Sequence, residues 1–533
     1  MKGGFRQSMT WLHTWTGLLF CWILYFMFVT GTLGYFDTEI DHWMAPERGP
    51  AKEVSVRDAY AVAQNFLETE AAGADRWFIS HPHGRDQKQL SVFWQMPTPE
   101  NPDAVDPDSL RGDFELDAET GAPLPELTRE TGGGQVLYRM HYALHYIDFD
   151  IAYRIVGIIT LLMFVAMITG IVVHKKIFKD FFTFRPSKGQ RSWLDMHNLL
   201  SVSSLPFLLM ITYSGLIFVV TIWMPGVALG SYGFNIQKAQ TELQSIIGNT
   251  AAERSGDAAA LADLGLVVEQ VEQKWGADRF GSINVEKPGD ANARIVVNPI
   301  TNGIGYFGKS LIFDGASGEF VEERAFTDSK AVGVAGTFLG LHEGLFADTV
   351  TRWLYFIAGL VGTGMVATGA VYWTSKRRKA LPDEQQDRGF RFVECLNIGT
   401  IAGLPLAITA YFFANRLLPL GMEHRAEWEV HCMFITWAIC LVYPLFRGRL
   451  AAWRELFAAS AAACVALPVL NGVTTDVHLL KSIPAGDWVM ASFDLTCLAL
   501  GLGLAILTSR IREKQPAQQA VPDERSSPSV SHA

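Results

Sequence analysis

The chain has 533 residues, a formal net charge of −10 at neutral pH, 49% hydrophobic residues and only 18% charged ones. That balance excludes a disordered chain, a nucleic-acid-binding tail protein and most soluble enzymes. The apolar residues gather in runs of roughly 20, the length at which an α-helix crosses a hydrocarbon layer of about 30 Å.

In chain order, the first run (11–34) follows Lys2 and Arg6, is long for a signal-peptide core and has no Ala-x-Ala site after it, so residues 1–34 read as an uncleaved anchor. Residues 35–140 are polar and predict a small module. Apolar residues recur at helical spacing over 53–70, then alternate over 89–96 and 114–124 around a DAETG turn. A second span is expected at 152–174, in a unit 141–174. A basic stretch and a third span (194–223) fill 175–224. A second polar module, 225–348, repeats the first with a helix over 260–275 and strands over 283–287, 293–299 and 311–323. The fourth span (352–373, in the unit 349–374) closes that half. Spans at 392–414, 429–446, 455–472 and 488–509 form a separate block, 392–509, and the Ser- and Pro-rich tail 515–533 reads as disordered.

Lys and Arg crowd the segments 175–191, 376–391, 447–454 and 510–514, which places these in the cytoplasm with both termini. The two polar modules then lie outside, in the periplasm of a Gram-negative cell. The expected fold class is mostly α: a polytopic helical bundle of about eight spans, its first half duplicated, with two small α+β outer modules. The six cysteines (Cys21, Cys395, Cys432, Cys440, Cys464, Cys497) fall in or beside the apolar runs and read as small buried hydrophobes.

The duplication is visible residue by residue. His13 and Gly31 are 18 residues apart in the first span, and His197 and Gly215 are 18 apart in the third, with Thr30-Gly31 matching Ser214-Gly215. The second span opens after Leu144-His145 and closes at Thr169-Gly170; the fourth opens after Leu341-His342 and closes at Thr368-Gly369. Residues 1–374 are thus two copies of span, outer module, span.

Six histidines sort into two layers under this topology: His13, His174 and His197 at the cytoplasmic ends of spans, His141, His145 and His342 at the outer ends. Singly, each reads as an interfacial aromatic. Together, ionisable residues at membrane depth face a bundle interior and a partner, and two repeated His layers suit bis-imidazole haem ligation at two depths. Zinc would add carboxylates or thiolates, and only Asp195 and Glu343 adjoin these histidines. His141 and His145 stand at i, i+4 on one helical face, so either could ligate. His13 with His197 is the symmetric inner choice, leaving His174 as an extra of the first copy.

The order of elements, with WLHTWTGLL in the first span, YFDTEID after it, HYALH before the second, and LHEGLF followed by TRWLYFIAGL at the fourth, resembles the PepSY-associated transmembrane helix family over about residues 1–380. That resemblance implies PepSY-like outer modules and an inner-membrane haem b reductase, with two haems, that passes electrons to periplasmic ferric siderophore. The iron ligands it implies are His13 with His197, and His342 with His141 or His145, with electrons entering near His13, His174 and His197 and leaving near His145 and His342. Arg154 and Arg352 would pair with haem propionates, or snorkel as plain interfacial arginines.

Other features have simpler readings. Trp11, Trp15, Trp193, Trp223 and Trp353 read as interfacial belts, Trp77 and Trp94 as module core, and His81-Pro82-His83 as an exposed stretch able to touch an iron chelate. Asp494 and His431 stand out in the last block as a hydrated acid or a proton or quinol site. Gly17, Gly31, Gly170, Gly215 and Gly369 read as close helix packing. The sequence has no dinucleotide fingerprint, phosphate loop or nucleophile triad, so the electron donor is expected to be quinol or a separate cytoplasmic reductase. Membrane lipid is an expected partner and nucleic acid is not. A non-enzymatic membrane scaffold for periplasmic proteins is the alternative. A transporter ranks last, because the spans are expected to lack broken helix pairs with charged sites.

Overall fold

The computed structural model of the chain describes residues 4–49, 54–85, 87–99, 106–125, 127, 129–174, 177, 181, 183–219, 253–276, 279–300, 303–305, 308–325, 330–380 and 388–511. Trp223, Lys175, residues 381–387 and the tail 515–533, on which the sequence gives expectations, lie outside these.

The first half runs α1 (Phe5–Leu19), α2 (Cys21–Gly34), α3 (Asp37–Met44), α4 (Val56–Glu70), β1 (Arg76–Ser80), β2 (Leu90–Gln95), β3 (Arg111–Leu116), α5 (Gly133–Ala143) and α6 (Phe149–Val173). The second half repeats this with α7 (Gln190–Ser203), α8 (Leu205–Phe218), α9 (Leu264–Trp275), β4 (Phe280–Glu286), β5 (Arg294–Pro299), β6 (Lys309–Asp314), β7 (Phe320–Ala325), α10 (Lys330–Glu343) and α11 (Thr349–Ala380). The last block is α12 (Arg388–Ile401), α13 (Leu404–Leu417), α14 (Arg425–Val442), α15 (Arg449–Thr474), α16 (Leu479–Ala485) and α17 (Trp488–Arg510).

Among the described residues, five helices are long and apolar enough to cross a membrane, and up to eight spans result if each bent pair counts as one. The bends correct the expectation of unbroken spans. α1 and α2 meet at 64°, their repeat counterparts α7 and α8 at 68°, and α12 and α13 at 41°. Physical causes are local: Thr10, Thr14 and Thr16 hydroxyls bond back to carbonyls four residues earlier in α1, a pattern that bends helices. Pro206 and Pro405 start α8 and α13, where a proline is tolerated but cannot continue the preceding helix.

The two outer segments do not stay separate. Their strands join in one seven-stranded antiparallel sheet, ordered β3-β2-β1-β4-β5-β6-β7, with Trp77 opposite Val285 and Ile79 opposite Ile283 at the seam. Two modules of three and four strands would each leave a β1 or β4 edge unpaired; pairing them satisfies both. α4 and α9 pack on one another and on the face carrying Trp77, Ile79, Val92, Ile283, Val285 and Val297. The repeated turn is real in both copies. Asp117 accepts the N–H groups of Glu119 and Thr120 ahead of Gly121, and Asp314 those of Ala316 and Ser317 ahead of Gly318. Both glycines sit at φ +72°, a region a side chain disfavours.

Ion pairs tie the sheet to the bundle. Arg85, between β1 and β2, donates to the Tyr35 carbonyl and the Asp37 carboxylate, and Glu39 bridges Arg85 and Arg352. The Gly34 end of α2 is therefore the sheet side of the bundle.

His81 is 5% exposed, stacked on Phe280 and beside Tyr60, and not an exposed chelate contact. Trp77 is buried as expected, while Trp94 is half-buried against Phe114. Gly17 has no neighbour for a Cβ to meet, so close packing is not its role. All six cysteines are free thiols.

Candidate functional site

Four glycines and four histidines define the site. His13 on α1 lies against Gly170 of α6; His197 on α7 against Gly369 of α11; His141 on α5 against Gly31 of α2; His342 on α10 against Gly215 of α8. A Cβ on these glycines would stand 3.1, 3.1, 2.6 and 3.4 Å from the nearest atom of the ring it faces. The missing side chain makes each seat.

A second element recurs in every seat. The residue before each glycine is Thr or Ser, and its hydroxyl bonds the helix carbonyls behind it: Thr169 to Val165 and Ala166, Thr368 to Gly364 and Met365, Thr30 to Phe26 and Met27, Ser214 to Met210 and Ile211. In three seats the ring uses the carbonyl four residues before the glycine. His13 Nδ1 is 2.8 Å from the Ala166 oxygen, His197 Nδ1 2.9 Å from Met365, and His141 Nδ1 2.7 Å from Met27. A carbonyl only accepts, so Nδ1 carries the proton and Nε2 presents a lone pair. In the fourth seat His342 Nδ1 is 2.9 Å from the Ser214 hydroxyl oxygen.

The seats bring the rings together in twos. His13 and His197 have ring centres 6.3 Å apart, and His141 and His342 6.2 Å apart. The layers sit at different depths. Gly170 seats His13, and Thr160, ten residues earlier on α6, meets Gly215 beside His342. On α11, Gly369 seats His197 and Gly359, again ten residues earlier, meets Thr32 next to Gly31. Ten helical residues are about 15 Å.

His145 is not in the sheet-side pair. The expectation that His141 and His145 share a helical face fails because α5 ends at Ala143: Leu144 and Tyr146 have φ of +44° and +70° and swing His145 round to stack on Phe434 of α14. His174 caps the far end of α6, its N–H donating to Gly170. Arg154 is exposed on α6. Arg352 pairs with Glu39 over the Phe36 ring. The two carboxylates adjoining the histidines have other partners: Asp195 holds Arg185 through both oxygens and Glu343 accepts from Tyr138.

The last block contributes a buried polar network that sequence reading missed apart from Asp494. Arg425 and Glu429, both 0% exposed, pair at 2.6 Å. Glu429 also accepts from the Thr131 hydroxyl, the Gly132 N–H and Asn415, so it caps the start of α5, the helix carrying His141. Tyr411 donates to the Gly133 carbonyl. Arg416 stacks over Trp43 and bonds Asn471, while Asp494, 1% exposed, accepts from Trp43 and Asn471. His431 lies apart, against Tyr146 and Trp428. The signal was in the sequence: Asn415-Arg416 and the Arg425/Glu429 i, i+4 pair are ionisable or polar groups at the ends of apolar runs.

The fold and site define a multi-pass membrane protein whose duplicated halves face one another through two layers of paired imidazoles beneath a shared sheet. The family model for the PepSY-associated TM region matches residues 10–376, and the chain belongs to that family. The match covers both copies of the duplication and stops before α12. No curated protein matches the chain.

Proposed function

We propose that the chain is a haem b-containing reductase that carries electrons outward across the bacterial inner membrane to periplasmic ferric siderophore, releasing Fe(II). The pair geometry carries the reading. In each layer two rings that present Nε2 lone pairs stand with centres 6.3 or 6.2 Å apart, close enough that both imidazoles of a pair would hold one metal at bonds of roughly 2.0–2.1 Å. His13 and His197 would hold one haem and His141 and His342 the other, so that His145 is not a ligand. When bound, haem supplies reversible one-electron transfer.

The donor set favours haem over zinc. Among the described residues no three His, Cys, Asp or Glu side chains converge, whereas a zinc site takes three or four such ligands. Two layers about 15 Å apart along α6 and α11 divide a hydrocarbon thickness of about 30 Å that a single centre would leave uncrossed. The positive-inside rule, applied to the basic segments between spans, supports a cytoplasmic side opposite the sheet and a periplasmic sheet built from paired PepSY modules. Quinol or a separate reductase supplies the electrons. The bends at Phe20, Ser204 and Ala402-Gly403 carry no ionisable side chain, and so do not favour a transporter.

The test is spectroscopic. Purified protein should show Soret and α bands that shift with dithionite and two haem b per chain by pyridine haemochrome. His13→Ala and His342→Ala should each remove one. Ferric siderophore should reoxidise the reduced protein, with Fe(II) trapped by a ferrous chelator. A colourless protein, or bands indifferent to all four histidines, overturns the reading.

A further inference from the structure

The four seats are alike except in one hydrogen bond. His13, His197 and His141 each donate Nδ1–H to a peptide carbonyl. His342 Nδ1 is shared between Ser214 Oγ and the Ile211 carbonyl. The Ser214 hydroxyl has carbonyls of Met210 and Ile211 to donate to, so it receives the His342 proton. A hydroxyl is a weaker acceptor than a peptide carbonyl, and the acceptor on Nδ1 sets how basic Nε2 is toward a metal. A more basic ligand favours the oxidised metal and lowers its potential; second-shell hydrogen bonding is one of the protein's levers on haem potential.

The far pair therefore has two carbonyl-backed imidazoles, and the sheet-side pair has one carbonyl-backed and one whose proton a hydroxyl draws away from its carbonyl. Resting on the haem reading above, we propose that Ser214 is a positioning residue that makes the two layers unequal, holding the sheet-side pair at the higher reduction potential. The ordering favours the passage of one electron, with no proton, from the far layer to the layer beneath the sheet. The duplication makes the two histidines within each layer counterparts by descent, and one side-chain hydroxyl on His342 sets the sheet-side layer apart from the far one.

The carbonyl of Ile211 also faces the His342 ring and stands four residues before Gly215, as Met27, Ala166 and Met365 stand before their own glycines. Removing the hydroxyl turns the fourth seat into a copy of the others. Spectroelectrochemical titration of the haem-loaded full chain should give two waves in the wild type, with the higher one absent from His141→Ala. Ser214→Ala should keep two haems per chain, lower the higher wave toward the other and leave the lower wave in place. Ser214→Thr, which restores a hydroxyl, should return the wild-type separation. A protein with two haems in which Ser214→Ala moves neither wave, raises the higher one or shifts the lower one overturns this proposal alone. Wild-type protein without haem overturns it together with the functional reading.

Discussion

Replacing Glu429 by alanine is the sharpest test of how the last block holds the site. The carboxylate is 0% exposed and takes four donors: Arg425 at 2.6 Å, Thr131 at 2.7 Å, Asn415 at 2.8 Å and the Gly132 N–H at 3.1 Å. Removing it strands a guanidinium that is itself 0% exposed, and breaking a buried pair from one side costs about 3–5 kcal/mol. At roughly 2–4 °C per kcal/mol for a unit of 150–250 residues, the unfolding midpoint should fall by at least about 6 °C. Fluorescence-monitored thermal unfolding of the full chain in detergent reads this directly. The double replacement Arg425→Met with Glu429→Leu should cost less than Glu429→Ala alone, because no uncompensated charge remains. A midpoint within about 2 °C of wild type for Glu429→Ala, or a double variant worse than the single, would refute the reasoning. The sheet-side pair should feel the change before the far pair, since the capped helix carries His141.

Alanine at the four seat glycines should displace the facing ring in the order Gly31, then Gly170 and Gly369, then Gly215, following Cβ-to-ring distances of 2.6, 3.1, 3.1 and 3.4 Å; haem retained per chain is the measure, and Gly17→Ala should be silent. His81 is pushed down to about 4 from 6.5 by burial and then by the neighbouring His83. Its stabilising effect is therefore complete above pH 6.5 and lost as pH falls from 6.5 toward 4, a loss of about 3 kcal/mol. His81→Phe should flatten that part of the pH–stability profile. Trp77→Ala, at a position 3% exposed on the sheet seam, should cost about 3–5 kcal/mol and release both halves of the sheet together in hydrogen exchange, where two independent modules would release only the first.

Much of the site is written locally. The His13–Gly31 and His197–Gly215 intervals and the four Thr/Ser-Gly pairs are properties of the chain, because a duplicated helix repeats its face at fixed spacing. What those pairs do is not local. Gly31 belongs to His141, not to His13, and Gly170 to His13, because each seat is built by two helices distant in sequence. The choice between His141 and His145 turned on the backbone of Leu144 and Tyr146, whose positive φ no residue type announces.

The sequence by itself determined the membrane class, the approximate span positions, the repeat, the turn chemistry at Asp117 and Asp314 and the set of histidines from which both pairs are drawn. Hydrophobic run length, periodicity and side-chain-to-backbone bonding act over a few residues and leave their mark in composition. Tertiary structure alone decided that two outer modules share one sheet, that Glu429 caps a helix nearly 300 residues away in the chain, and that His342 meets a side-chain hydroxyl where its three counterparts meet carbonyls alone. Each of these is settled by which distant surfaces meet, since an unpaired strand edge, an uncompensated buried charge or an open helix end is satisfied by a partner that local sequence cannot name.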